Sequence, residues 1–228
     1  MTTDDVLAEL EALGTEQNRK VYRRHGVGGA QFGVSYANLR TLAKRIGRDH
    51  ALARSLWASG NHDARVLATR VAHPPLADDA LLDAWAADLD SYVLTDAFSE
   101  FAAQTGWAQR KRDAWIDSDG EWTEAAGWNL LARDALRDDG RPDAFFAPYL
   151  ARIERTVHDQ KNRVRHAMNN ALIAVGTRND ALAAQATAAA ERIGTVEVNH
   201  GATNCTTPDA AAYIAKTRAR QRARAAKR

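Results

Sequence analysis

A single cysteine, Cys205, leaves the chain with no internal disulfide, so whatever holds it together is packing. No apolar run approaches the roughly 20 residues that a membrane-spanning helix needs. The opening Met1-Thr2-Thr3-Asp4-Asp5 is acidic where a cleavable export signal is basic. A soluble, cytoplasmic protein is expected. The seven histidines, at 25, 50, 62, 73, 158, 166 and 200, show neither the His-x-x-x-His spacing nor a set of thiolate companions, so neither a metal nor another cofactor is expected. Alternating runs of β-branched residues are also missing, which excludes a core built from sheets.

What is present is helical periodicity almost throughout, in 228 residues of which 45% are hydrophobic, enough for a full core. The pattern predicts an all-α chain with helices near 3–13, 15–25, 36–47, 50–59, 61–73, 77–89, 92–104, 107–117, 121–137, 142–157, 160–176, 179–191 and 208–224. Short polar or Gly/Pro breaks separate them, such as Gly47-Arg48-Asp49, His73-Pro74-Pro75 and Asp139-Gly140-Arg141-Pro142. Asp90 or Ser91 is the expected cap of the helix carrying Asp96. Thr207-Pro208-Asp209 supplies an N-cap, a first-turn proline and a first-turn acid for the last helix. The four glycines in residues 26–35 match no phosphate-binding fingerprint, because no strand precedes them.

The net charge of +2 hides an asymmetry. Residues 210–228 hold seven bases, including Arg218, Arg220 and Arg228, and no acid, which leaves 24 bases against 29 acids in the rest. Such a tail suits phosphate backbones, since neutralising phosphates releases counterions. It equally suits a solvated, frayed last helix.

A faint repeat aligns residues 63–68, 124–129 and 163–168, which implies a unit of one helical hairpin. Stacked hairpins share a continuous core and curve, so their second helices line one concave surface. Arg65, Asp96, Asn129 and Arg165 can then converge on it although they are far apart in sequence.

The segment from Leu56 to Ala68, the run Tyr92-Val93-Leu94-Thr95-Asp96 and the segment from Val164 to Leu172 resemble, in order and spacing, the bacterial DNA alkylation repair family, the AlkD-type HEAT-like-repeat DNA glycosylases. The likeness covers roughly residues 15–195. It implies a superhelical array of antiparallel HEAT-like hairpins forming one domain over 1–228, with a basic C-terminal helix or tail at 210–228. It implies a monomer that holds alkylated duplex DNA in its groove and hydrolyses the N-glycosidic bond of cationic N3- or N7-alkylpurines, without a metal and away from membranes. The alternative is a non-catalytic scaffold of the same fold, binding nucleic acid structures or a protein.

The chemistry fits few residues. A cationic alkylpurine is already a good leaving group, so the need is to stabilise an oxocarbenium-like sugar and orient water, which one fixed carboxylate can do. At an effective dielectric near 20, a charge pair about 4 Å apart is worth roughly 4 kcal/mol, or about a thousandfold in rate. By the resemblance Asp96 is the catalytic carboxylate. Tyr92, one turn earlier on the same face, stands where the glycosylases have Trp and contacts the lesion, with Trp128 a second contact. Two positions depart from the family: Ala126 stands at the groove Arg and Asn170 at the second groove Trp.

The expected DNA contacts are Arg65, Arg165, Arg19, Lys20, Arg23, Arg218 and Arg220, with Arg110-Lys111-Arg112 a further basic cluster. Each residue also has a plain structural reading. Asp96 can cap or pair with Arg133 or Arg165, Tyr92 can be a core aromatic, and Arg65 and Arg165 can form inter-repeat pairs with Asp63 and Glu124. Cys205 near His200 reads as part of a loop docking the last helix.

Overall fold

A computed structural model describes residues 1–137 and 140–227. The expected break at Asp139 and the last base of the tail, Arg228, lie outside the described residues. Among those residues the chain forms thirteen α-helices, three short 3₁₀ turns and no strand. In order they are α1 (Thr3–Leu13), α2 (Glu16–Arg24), α3 (Tyr36–Ile46), α4 (His50–Ala58), α5 (His62–Val71), α6 (Asp79–Ala87), α7 (Tyr92–Ala102), α8 (Ala108–Ile116), α9 (Glu121–Leu136), α10 (Ala147–Thr156), α11 (Asn162–Gly176), α12 (Asp180–Ile193) and α13 (Ala210–Ala225). No helix among them is long and apolar enough to cross a membrane.

The chain falls into two compact units. The first holds Met1–Lys111 with His200–Asn204, and the second Arg112–Asn199 with Cys205–Arg228.

In the first unit α5 is central, packing on α3, α4 and α7. Its side chains explain why: Ala64, Val66, Leu67, Ala68 and Val71 are all solvent-free, covering most of the helix circumference. Trp57 of α4 and Trp85 of α6 stack face to face with centroids 4.2 Å apart and planes within 3°. The glycine-bearing loop over residues 26–35 is an anchor. Asp63, itself completely buried, accepts backbone N–H bonds from Phe32 at 2.7 Å, Gly33 at 3.0 Å and Val34 at 2.8 Å. Three charge-assisted bonds offset the cost of burying that carboxylate. Gly33 is required at its place, since its φ is +79° and a Cβ there would lie 2.6 Å from the Thr15 carbonyl oxygen.

In the second unit α11 packs on α9 and α12, and α13 closes over α11 and α12. Gly127 lets α9 approach the end of α8, where a Cβ would meet the Ile116 backbone nitrogen at 2.6 Å. Trp128 is fully buried in this core. Its indole Nε1 donates to the Glu124 Oε1 at 3.4 Å, and the Arg152 guanidinium lies 5.6 Å from its ring centroid.

The unit boundary falls inside α8, between two buried cations. The Lys111 ammonium binds Asp79 at 2.9 Å and Asp83 at 2.7 Å. Arg112 pairs with Asp134 and, at 2.8 Å, with Asp113. Two-thirds of the basic cluster expected to face DNA is therefore internal, because each of these cations is matched by its own acids.

Two caps differ from the expected ones. Ser91 stands at the N-cap of α7, but its buried hydroxyl makes no hydrogen bond. At α13 the cap is Asp209, which accepts the Ala212 N–H at 2.8 Å, so the helix starts after the proline and the acid instead of at Thr207.

Candidate functional site

Asp96 lies on the exposed side of α7, between the half-buried Val93 and Ala97. The helix is held by Leu94, Phe98, Phe101 and Ala102, which are buried, so the 3.6-residue period carries Asp96 outward. Tyr92, one turn before it, is half-buried. Its hydroxyl hydrogen-bonds with the His25 Nδ1, and the two rings lie 5.9 Å apart at 57°.

Tyr36, the first residue of α3, completes an aromatic group on this face. It is 37% exposed and meets Tyr22 edge-on at 6.5 Å. The Arg70 guanidinium carbon lies 5.7 Å from the Tyr36 ring centroid, within cation–π range. Burial pushes the Tyr36 phenol up to about 12; Arg70 opposes this, while the charges of Asp96, Tyr92 and Asp63 add to it. Asp96, Arg70 and Tyr92 are thus all electrostatic neighbours of one phenol, which stays a neutral O–H donor at physiological pH. Beneath them Tyr22 donates its hydroxyl to the Val34 carbonyl and packs on His62 with centroids 5.4 Å apart. Tyr22 and the Asp63 anchor tie the loop after α2 to α5, so the surface carrying Tyr36 rests on fixed backbone.

The face therefore combines an exposed carboxylate, two phenol rings and a guanidinium. That set can hold a cationic or aromatic group against π faces and place a negative charge beside it. Among the described residues no cluster of three or more His, Cys, Asp or Glu side chains is arranged to hold a metal ion.

The remaining expected site residues divide. Arg65 is engaged inside the first unit: it donates to the carbonyls of Trp57 at 3.3 Å and Asp88 at 3.2 Å and pairs with the Asp88 carboxylate at 3.3 Å. With its side chain only 16% exposed, it ties α4 to the end of α6 and is not a rung of a phosphate ladder; its mate is Asp88, not Asp63. Arg19 staples α2, bonding Glu16 at 2.8 Å and the Phe32 carbonyl at 3.0 Å. Lys20 is exposed, and Arg23 is exposed with Glu16 at 3.6 Å. In the second unit Arg165 is half-buried with its Nε sealed and without a hydrogen-bond partner. Arg218 binds Asp180 at 2.5 Å and the Thr177 carbonyl at 3.3 Å, whereas Arg220 is exposed.

Trp128 needs correction outright. With no exposed surface it can touch no lesion, and its role is to fill the core. Ala126 is equally buried, as is every residue from Glu124 to Trp128, so no shift of one position along α9 brings a side chain out to where a groove Arg would stand. Asn170 is half-buried on α11. Tyr36, Arg70 and His25 are the members that sequence reasoning missed. Nothing in their local sequence marks them, because they reach this face only through tertiary packing, with α3 and α7 both lying on α5 and His25 meeting Tyr92.

Residues 6–214 match the model of a family described as DNA alkylation repair enzyme. The chain belongs to that family. The chain is 28% identical to an uncharacterized protein of Listeria innocua, Lin0241, and 29% identical to one of Listeria monocytogenes, Lmo0209, in each case over 96% of this chain and 99% of the relative. A solved structure described as "a new family of proteins related to the HEAT-like repeat DNA glycosylases with affinity for branched DNA structures" matches at a TM-score of 0.89 and 30% identity, covering 97% of this chain and 96% of that one. The all-α, HEAT-like-repeat fold expected for a member of the DNA alkylation repair family is the fold found.

Proposed function

We propose that this protein binds DNA through the Asp96 face of its first unit, recognising structured or lesion-bearing DNA by aromatic and backbone contacts. The observation that carries this reading is the exposed Asp96 set beside Tyr36, Tyr92 and Arg70 on rigidly anchored helices. The solved relative's affinity for branched DNA, at 30% identity over nearly the whole chain, supports the same class of ligand. The exposed Tyr36 ring suits unstacked bases, which are available at branches and lesions.

The second reading is hydrolysis of the N-glycosidic bond of cationic N3- or N7-alkylpurines, with Asp96 stabilising the sugar cation and orienting water. The exposed carboxylate favours it. Against it stand the two departures from the family pattern, Ala126 for the groove Arg and Asn170 for the second groove Trp, and the burial of Trp128.

The experiment measures binding to linear, three-way and four-way DNA alongside release of N7-methylguanine and N3-methyladenine from methylated duplex, for the wild type and Asp96→Asn. Junction binding without release supports the first reading. Release that falls by about a hundredfold or more in Asp96→Asn, with binding retained, establishes the second. Absence of DNA binding in every form overturns both.

A further inference from the structure

Behind the Asp96 face, and still within the first unit, lies a pocket of about 410 Å³. It is lined by Arg40 and Lys44 of α3, Arg48 just beyond it, Arg70 of α5, and Glu100 and Gln104 of α7. Arg40 and Lys44 are one turn apart on the same side of α3, and Gly47, whose φ is +75°, turns the chain so that Arg48 follows them to the rim. Phe101, Ala43 and Ala97 supply an apolar wall. Ala97 adjoins Asp96, and Arg70 belongs to both places, lining the pocket and lying over Tyr36.

The cations of this pocket differ from most others in the unit. Arg45 pairs with Glu9, Arg65 with Asp88, and Lys111 with Asp79 and Asp83. By contrast, Arg40, Lys44, Arg48 and Arg70 form no ion pair among the described residues, although Glu100 stands in the same wall. Arg48 is steadied by donating to the carbonyls of Arg70 at 2.9 Å and Ala72 at 2.6 Å, which neutralises no charge. The Arg70 Nε is sealed from solvent with no hydrogen-bond partner, so that cation is already partly dehydrated before any ligand arrives. Four converging cations against one carboxylate are a standing attraction for a multiply charged anion.

We infer that this pocket is a phosphomonoester site, taking the terminal phosphate of a nucleotide. A monoester carries about −1.5 to −2 charges at neutral pH, against one for a backbone diester, so the excess of cations selects ends over continuous backbone. The volume lies in the range of small-molecule sites, roughly 300–1,000 Å³, and the wall of Phe101, Ala43 and Ala97 offers a sugar or base somewhere apolar to rest. The phosphate can come from a DNA end or from a free nucleotide. The first source deepens the DNA-binding reading and rests on it; the second does not.

The test compares otherwise identical DNA bearing 5′-phosphate, 3′-phosphate or only hydroxyl ends, and separately titrates deoxynucleoside monophosphates against the parent deoxynucleosides. The proteins are the wild type, the double variant Arg40→Ala/Lys44→Ala, and Glu100→Gln; all three changed positions are exposed, so the fold is not at stake. A phosphorylated probe should bind the wild type about tenfold tighter than its hydroxyl counterpart. That preference should vanish in the double variant and grow in Glu100→Gln. Preference confined to DNA ends assigns a DNA source, and preference for the free monophosphate assigns a nucleotide. If neither phosphorylated probe is preferred to its hydroxyl counterpart, the inference is overturned, while binding of hydroxyl-ended DNA leaves the DNA reading intact. Failure of the DNA reading shows instead as loss of all DNA arms, with the monophosphate titration still reporting on the pocket.

Discussion

At the scale of single residues, burial decides more than residue type. The His62 imidazole is 4% exposed, edge-on to Tyr22, and neither of its ring nitrogens has a hydrogen-bond partner. Burial lowers its pKa below the usual 6.5, with Asp63 and Asp90 pulling it back up and Arg65 pushing further down. The folded state therefore prefers the neutral ring, and the unfolded chain takes up a proton first as pH falls. The contribution of His62 to stability is complete above about 6.5 and is lost as pH drops below that value towards the depressed folded pKa. Thermal melts between about pH 7.5 and 5.5 should show the wild type losing stability and His62→Phe, which keeps the edge contact with Tyr22, losing less. Parallel pH profiles would refute this assignment. Nothing in the sequence His62-Asp63 announces that both side chains are buried. Asp96, expected on a helix lining a concave surface, has a direction that sequence alone can show, since the apolar period of Leu94, Phe98, Phe101 and Ala102 turns it to solvent. Trp128 does not, because an indole suits a core and a binding face equally until its accessibility is known.

At the scale of helices, periodicity and caps located nearly every element to within a few residues. The helix expected at 92–104 is Tyr92–Ala102, and that expected at 208–224 is Ala210–Ala225. The larger miss is 142–157, where the helix proper is Ala147–Thr156 and a separate 3₁₀ turn occupies Asp143–Phe145. The reason is local: Pro148 is favoured in the first turn of a helix and not in its interior. Glycines at helix crossings are a second gap in what sequence shows. Gly127 lies mid-helix, where glycine is intrinsically unfavourable, and only the closeness of α8 to α9 explains it. Gly127→Ala should gain helix propensity yet lose about 1–3 kcal/mol overall, because the clash is with backbone and cannot be relieved by a rotamer change. Urea denaturation measures this, and a variant as stable as the wild type would show that the crossing can relax.

At the scale of the whole molecule, charge is distributed by pairing and not by region alone. The basic tail divides accordingly. Arg218 and Arg222 both bind Asp180 and hold α13 to α12, drawing the Asp180 carboxyl down to about 2 chiefly through Arg218. Arg220 and Arg224 are exposed. If the tail contacts phosphates, Arg220→Ala/Arg224→Ala should reduce the slope of log affinity for DNA against log salt by about 2 at most without changing the melting temperature. Arg218→Ala should instead lower the melting temperature. An unchanged slope in the first variant would place the tail outside the DNA contact. Sequence arithmetic revealed the seven bases but not this division, since helical spacing alone cannot tell which bases find Asp180.

The paired cations inside α8 set a limit on chain length. Lys111 is satisfied by acids of one unit and Arg112 by acids of the next, and both are buried. Gaining or losing one residue in α8 ahead of Lys111 would turn that side chain by about 100° away from Asp79 and Asp83 and leave a buried charge stranded. Surface loops tolerate such insertions at small cost. The first turn of α8, residues 108–111, behaves as a counted interval, in which substitutions can be absorbed and changes of length cannot.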